Sequence, residues 1–365
     1  MKSSPLHRTI YTALRTKILR GDYGAGGKLP TESVLTREFN VSRITVMRAL
    51  RDLQQDGLIW RKQGAGSFVR DSQENHFRLG IMIPGLLPSS ETDSIFPAVQ
   101  HHLVREASKL GWQVLLSNLE MPGHRDPTTC APVEVARRLV AHGANAVVFT
   151  PLPIDGRWNA LNRNVLAEFK AAKVAVILLG RDIVQYPERS EWDLVSMDDM
   201  NAGYLVGKHL MARGCHRTVF VSGHDHFPQL RLMGLRQALT ENNGEITKEI
   251  VWDQHHPHSG KLLQKTLLHH QCDGIVCDND TTAPLVMHSL LEAGVKIPGQ
   301  VRMVSFDNAP LSRLLPVPLT SFAQPVSGLA LIALSTLIER KRAPALPPRF
   351  IQLEGRLVVR KSTRP

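Results

Sequence analysis

The sequence predicts an α/β protein in two parts: a small helical module closed by a β-hairpin, then a larger two-lobed body of parallel sheets covered by helices. Three observations carry this. Within the first seventy residues the apolar spacing changes from helical periods to short strands. From Arg78 onward, apolar runs of four or five residues alternate with amphipathic segments, the pattern of successive β-α units. Charge is uneven as well. Residues 1–70 hold 13 Lys and Arg against 5 Asp and Glu, so most of the chain's net charge of +11 sits in the small module.

In that module Ile10, Leu14 and Ile18 recur every four residues and predict a helix from Leu6 to Arg20. The glycine-rich stretch 21–27 ends it, because glycine costs helix stability and tolerates positive φ. A second helix is expected from near Thr31, whose hydroxyl can cap free amides, to Phe39. After the turn at Asn40-Val41, Ser42 is placed to cap a third helix running from Arg43 to about Gln55. Val46, Ala49, Leu50 and Leu53 form its apolar face, and the other side presents Arg43, Ile44, Met47, Arg48 and Arg51. Leu58–Arg61 and Ser67–Val69 then read as strands flanking a glycine-rich tip, Lys62-Gln63-Gly64-Ala65-Gly66. Three short helices and a two-stranded wing describe a winged helix-turn-helix.

Such a module suits double-stranded DNA. An α-helix fits the major groove, its N-terminus brings capping hydroxyls such as Thr31 and Ser42 near phosphates, and arginine meets guanine O6 and N7 with two hydrogen bonds. Arg43, Ile44, Arg48 and Lys62 lie on the expected contact face. Charge alone does not exclude a merely soluble basic surface, and for Arg48 and Arg51 a solvated helix face stays open.

The runs Gly21-Asp22-Tyr23, Gly27-Lys28-Leu29-Pro30-Thr31-Glu32, Leu35, Val41-Ser42-Arg43-x-Thr45-Val46, Ala49-Leu50-x-x-Leu53, Gly57-Leu58-Ile59 and Gly64-x-Gly66-x-Phe68-Val69 follow in order. Through them the module resembles the GntR family. The resemblance implies DNA contacts from Arg43 and Thr45 and from the wing around Gln63 and Gly64. One departure matters: Met47 stands where the family usually has arginine, so any base contact made there is lost or passes to Arg48.

Residues 71–77 read as a polar linker and residues 78–365 as the body. Its apolar strands and intervening helices fall into two rounds, which places the break between lobes near Arg181–Asp193, with a final strand, helix and strands over Leu319–Arg360. Ligands of such sheets sit at the carboxyl ends of strands. Asp182, Asp198, Asn279-Asp280 and Asp307-Asn308 follow apolar strands, and their carboxylates and amides suit sugar hydroxyls.

This body resembles the effector domain of the LacI family and the related periplasmic sugar-binding proteins. The match runs through Val195-Ser196-Met197-Asp198-Asp199, His209-Leu210-x-x-Arg213-Gly214, Val219–Gly223 and Arg231-x-x-Gly234. It continues through Asp273-Gly274-Ile275-x-Cys277-x-Asn279-Asp280, Gly294-x-x-Ile297-Pro298, Val304-Ser305-Phe306-Asp307-Asn308 and Leu319-Thr320-Ser321-Phe322-x-Gln324-Pro325. The resemblance implies effector contacts from Arg231, Asn279 and Asp307, with Phe96 and Arg181 at the cleft mouth. Each has a plainer alternative: a turn cap for Asp307, a surface or inter-lobe ion pair for Arg231, a loop anchor for Asn279. Asp198, just ahead of a helix, reads as structural.

Phosphate loops, dinucleotide fingerprints and the Gly-x-Ser-x-Gly elbow are absent from the sequence, so neither an enzyme nor a cofactor is expected. Cys130, Cys215, Cys272 and Cys277 match no common zinc spacing and read as reduced thiols, and the histidines at 255, 256, 258, 269 and 270 read as solvated. No apolar run would span a membrane, and no secretion signal leads the chain, so a cytoplasmic protein is expected. The expected whole is a homodimeric repressor that binds a two-fold operator and responds to a sugar-like small molecule held between the lobes. The alternative is a cytoplasmic sugar-binding or sugar-modifying protein with an incidental basic module.

Overall fold

The computed structural model describes residues 6–20, 22–24, 26–62, 64–69, 77–83, 95–117, 131–154, 158–223, 229–252 and 259–364. Gln63, linker residues 71–76, Cys130 and the histidines at 255, 256 and 258 lie outside them. Two compact units divide the chain, Met1–Phe77 and Arg78–Pro365.

The first unit, the head, holds helices α1 (Leu6–Arg20), α2 (Glu32–Phe39) and α3 (Arg43–Gln55) and a hairpin of β1 (Ile59–Lys62) and β2 (Gly66–Val69). The helical spacing read in the sequence becomes one core: Ile10, Leu14 and Ile18 meet Leu35, Val46, Ala49, Leu50 and Leu53, and Ile59 and Val69 close it from the hairpin. Thr31 caps α2 through the Val34 amide, and Ser42 caps α3 through the Thr45 amide. Asn40 ends α2 in the left-handed region, a conformation its short polar side chain tolerates. Backbone bonds from Leu29 to Ser67 and from Val69 to Gly27 tie the segment before α2 to the wing.

The second unit, the body, contains two six-stranded sheets. The first runs in the order β13-β7-β6-β5-β3-β4 and is wholly parallel. Its strands are β3 (Arg78–Met82), β4 (Gln113–Leu116), β5 (Ala146–Phe149), β6 (Ala175–Leu179), β7 (Asp193–Met197) and β13 (Phe350–Leu353). Helices α4 (Phe96–Lys109), α5 (Ala131–Ala141), α6 (Asn159–Ala171) and α11 (Val326–Arg342) accompany it. The second sheet runs β14-β12-β11-β10-β8-β9 and is parallel except for β14. It comprises β8 (Arg217–Gly223), β9 (Glu245–Trp252), β10 (Gly274–Cys277), β11 (Arg302–Asp307), β12 (Thr320–Ala323) and β14 (Arg356–Val358), with α7 (Asp199–Met211), α8 (Gln229–Thr240), α9 (Ser259–His269) and α10 (Thr282–Glu292). Fully buried strands explain the unbroken apolar runs: β5, β7 and β10 are buried along their whole length.

The lobe break differs from the sequence expectation. The 181–193 segment is a polar loop that returns to its own sheet, where β7 pairs with β6 and β13. The chain first leaves this lobe after Met197, when α7 packs against the core of the second sheet. It comes back at α11 and β13 and crosses again to β14. Local composition marked a loop but carried no record of which distant strand it fed. Polar residues lead two elements, Asn159 in α6 and Glu245 in β9, and hide their starts from the apolar pattern.

Two glycines set the geometry of the second lobe. α7 and α8 cross so closely that a Cβ on Gly203 would lie 2.0 Å from the Arg231 carbonyl oxygen, and one on Gly234 1.9 Å from that of Met200. This approach brings the first turn of α7 against Arg231. On the first lobe, Arg340 of α11 bonds both carboxylate oxygens of fully buried Asp193, at 2.8 and 2.9 Å, which pins the returning helix to β7.

Candidate functional site

In the body, polar side chains gather at the carboxyl ends of the strands. Arg231 is almost fully buried in the first turn of α8. Its Nε donates to Asp199 Oδ1 at 2.6 Å and its Nη1 to the Asp278 carbonyl at 2.5 Å. Nη2 stands 3.7 Å from Asp307 Oδ1, and the guanidinium lies 4.7 Å from the Phe306 ring centre. Burial opposes this charge, yet the Asp199 and Asp307 carboxylates outweigh it and hold the Arg231 pKa above its ordinary value.

Asp307 itself has φ +101° and Asn308 φ +54°, an unusual pair for residues bearing side chains. Neighbours hold the turn. Gln324 Nε2 donates to Asp307 Oδ1 at 2.6 Å, the Asn308 amide donates to Ser321 Oγ at 2.9 Å, and Arg360 bonds the Asn308 side-chain oxygen. Beneath lies Asp280, whose carboxylate accepts the Ala309 amide at 2.7 Å and the Ser321 hydroxyl at 2.8 Å. Burial, and then the nearby Asp307 charge, push its pKa up to about 7.

Arg181 follows β6 on the other lobe. Burial, and then the like charge of Arg231, lower its pKa to about 10, while Asp199 and Asp307 act in the opposite direction. Its guanidinium therefore lies in the field of the cluster on the second lobe. Asn279 Oδ1 accepts the amides of Thr281 and Thr282 at 2.9 and 2.8 Å, so this atom anchors the start of α10. Phe96 opens α4 and is half-buried. Asp198 caps α7 through the Asn201 amide, and Asp182 holds its own loop through the amides of Ile183 and Ser190. Sequence reasoning gave no role to Asp199, Phe306 or Gln324. Their only signal was membership of the quoted motifs, and the fold supplies the rest by closing α7 on α8 and β12 on β11.

In the head, Ser42, Arg43, Ile44 and Arg48 are exposed on α3, Thr45 is half-buried, and Thr31, Lys62 and Gly64 are exposed on α2 and the wing. Gln63 falls outside the described residues. Ser42 Oγ and Thr45 Oγ1 lie 2.8 Å apart at the helix start. Glu32 joins the parts: its Oε2 accepts Arg43 Nε at 2.9 Å and its Oε1 accepts Arg61 Nη2. Neither Glu32 nor Arg61 was singled out from the sequence.

Residues 6–69 match the gntR family of bacterial regulatory proteins, and residues 208–363 match the periplasmic binding protein-like domain. A relative from Halalkalibacterium halodurans, named an arabinose metabolism transcriptional repressor, is 26% identical over 96% of this chain and 94% of its own length. The chain is a transcription regulator with a GntR-type head and a periplasmic-binding-protein-like body. The regulator shares its fold with a LacI-family protein from Enterococcus faecium solved with bound ribose (TM-score 0.62, 21% identity, 79% of this chain and 99% of that one). The lac repressor dimer bound to operator and an anti-inducer has a similar fold (TM-score 0.61, 21% identity, 79% and 94%). The likeness of the first relative spans head and body together, which removes the alternative of an incidental module. No helix among the described residues of the regulator is long and apolar enough to cross a membrane.

Proposed function

We propose that the protein is a homodimeric repressor of a two-fold operator, released when a polyhydroxylated, sugar-like molecule enters the cleft of the body. The observation that carries this is the cluster of Arg231, Asp199 and Asp307 at the strand ends where ligands of such sheets bind, which Arg181 after β6 of the other lobe would complete. Paired guanidinium and carboxylate groups offer fixed donors and acceptors to adjacent hydroxyls, and Phe96 adds an apolar face for a sugar ring. The side-chain nitrogen of Asn279 supplies a further donor. A relative named for arabinose metabolism and a fold neighbour holding ribose support the same ligand class.

In the head, Arg43 reads a base edge, Ile44 offers an apolar contact to a thymine methyl, and Thr31, Ser42, Thr45, Arg48, Lys62, Gln63 and Gly64 meet the backbone or the groove. The protein works in the cytoplasm, without a cofactor and without catalysing a reaction.

Operator selection from a random-core duplex pool, followed by titration with pentoses, hexoses and their phosphates, tests this. One ligand should raise the melting temperature and weaken operator binding by about 5- to 150-fold, the span of a coupling of roughly 1–3 kcal/mol. A protein that enriches no duplex sequence, with or without these compounds, would overturn it.

A further inference from the structure

A carboxylate stands between two arginines of the head. Glu32 is the first residue of α2, Arg43 the first residue of α3, and Arg61 lies in the first wing strand. One glutamate thus ties together the beginnings of two helices and the wing. Its side chain is only 17% exposed, whereas that of Arg43 is 76% exposed despite the bond between them. The hydrogen bond from Arg43, joined by that from Arg61, holds the Glu32 pKa below its ordinary value, so the tie is fully charged near neutrality.

The atom used on Arg43 matters. Glu32 takes the Nε proton, which orients the guanidinium plane and leaves the end-on edge of the two terminal nitrogens outside this bond. Those terminal nitrogens form the edge that meets guanine O6 and N7 end-on. An untethered arginine at a helix start would instead swing to the nearest phosphate, a contact that carries no sequence information. The carboxylate also repels phosphate, so the same group that aims Arg43 discourages the sequence-blind alternative.

We infer that Glu32 is a specificity-determining positioning residue: it aims Arg43 at a base edge and couples the wing to the recognition helix through Arg61. This rests on the proposal that the head binds DNA. It goes further in assigning base discrimination to a residue that acts through another side chain.

The test uses the full chain and the duplex that the wild type selects from a random-core pool. Wild type, Arg43→Ala and Glu32→Gln are each titrated against that duplex, against every single base-pair change in it, and against an unrelated duplex at several salt concentrations. Arg43→Ala defines the base pair that Arg43 reads. Glu32→Gln should lose about tenfold in discrimination at that same base pair. It should also bind the unrelated duplex more tightly, with a steeper salt dependence, because two cations are freed for phosphate. A merely structural glutamate would lower the melting temperature and leave the base-pair profile of the folded protein unchanged. If Glu32→Gln fails to fold, Glu32→Asp keeps the charge at the helix start but shortens its reach, and the same profile decides. Full discrimination at the Arg43 base pair in a folded variant would overturn the inference. A wild type that selects no sequence would instead overturn the DNA proposal beneath it.

Discussion

Arg43 in the head and Arg231 in the body are both held by carboxylates, yet their surroundings could hardly differ more. The Arg43 side chain is 76% exposed and meets one carboxylate; that of Arg231 is 8% exposed and meets Asp199, Asp307 and a backbone carbonyl beside an aromatic ring. In water an ion pair of the first kind is worth about 0–1 kcal/mol and is screened by salt, so it sets the direction of the side chain without taking it out of solvent. A pair of the second kind is costly to form and costlier to break, because either partner alone is a buried charge. Exposure thus leaves the outer edge of one arginine open to a further partner, and burial fixes the other as a rigid wall of a cleft.

Four measurements would break or sharpen that contrast. The largest effect is expected from Arg231→Ala, which strands two carboxylates. Chemical unfolding of the body should show a loss of about 3–5 kcal/mol, and a loss near zero would mean the cluster is hydrated. Gly234→Ala should follow at about 3 kcal/mol, since a methyl group cannot share space with the Met200 carbonyl and α8 must shift, carrying Arg231 out of register.

Asp280→Asn probes the floor of the same cleft. In the folded chain the Asp280 carboxyl titrates at about 7 against an ordinary 3.8. Between those values the native state keeps a proton that the unfolded chain has released, so this residue makes stability fall as pH rises through the window. The slope is at most about 1.4 kcal/mol per pH unit. The asparagine variant lacks this term, so it should gain on the wild type from pH 4 to 7 and keep a constant advantage above it. Parallel urea unfolding curves across that range check this. The smallest effect on stability belongs to Arg43→Ala, under about 0.5 kcal/mol by thermal unfolding. Its consequence should appear in operator discrimination, at about 1–3 kcal/mol for the base pair it reads.

Legibility in the sequence followed the range of the interactions. The three head helices were readable because Ile10, Leu14 and Ile18, and then Val46, Ala49, Leu50 and Leu53, repeat within a few residues, and because Thr31 and Ser42 cap locally. Strands such as β5 and β10 were readable because wholly buried strands are unbroken apolar runs. The exit of the chain from the first lobe after Met197 was misplaced, since a loop's polarity shows that it turns and not where it goes. Asp199 and Glu32 were passed over for the same reason. Asp199 finds its partner 32 residues away, and Glu32 finds its two partners 11 and 29 residues away.

By itself, then, the sequence determined which segments are helices and strands, where basic charge is concentrated, and which families the two parts resemble, because periodicity, capping and motif spacing are properties of neighbouring residues. The tertiary structure alone decided that α7 and α8 touch at two glycines, that Arg231 is enclosed by acids from separate elements, and that one glutamate joins the wing to the recognition helix. Those contacts depend on the closure of distant segments, whose partners are chosen by the packing of the whole core rather than by any local pattern.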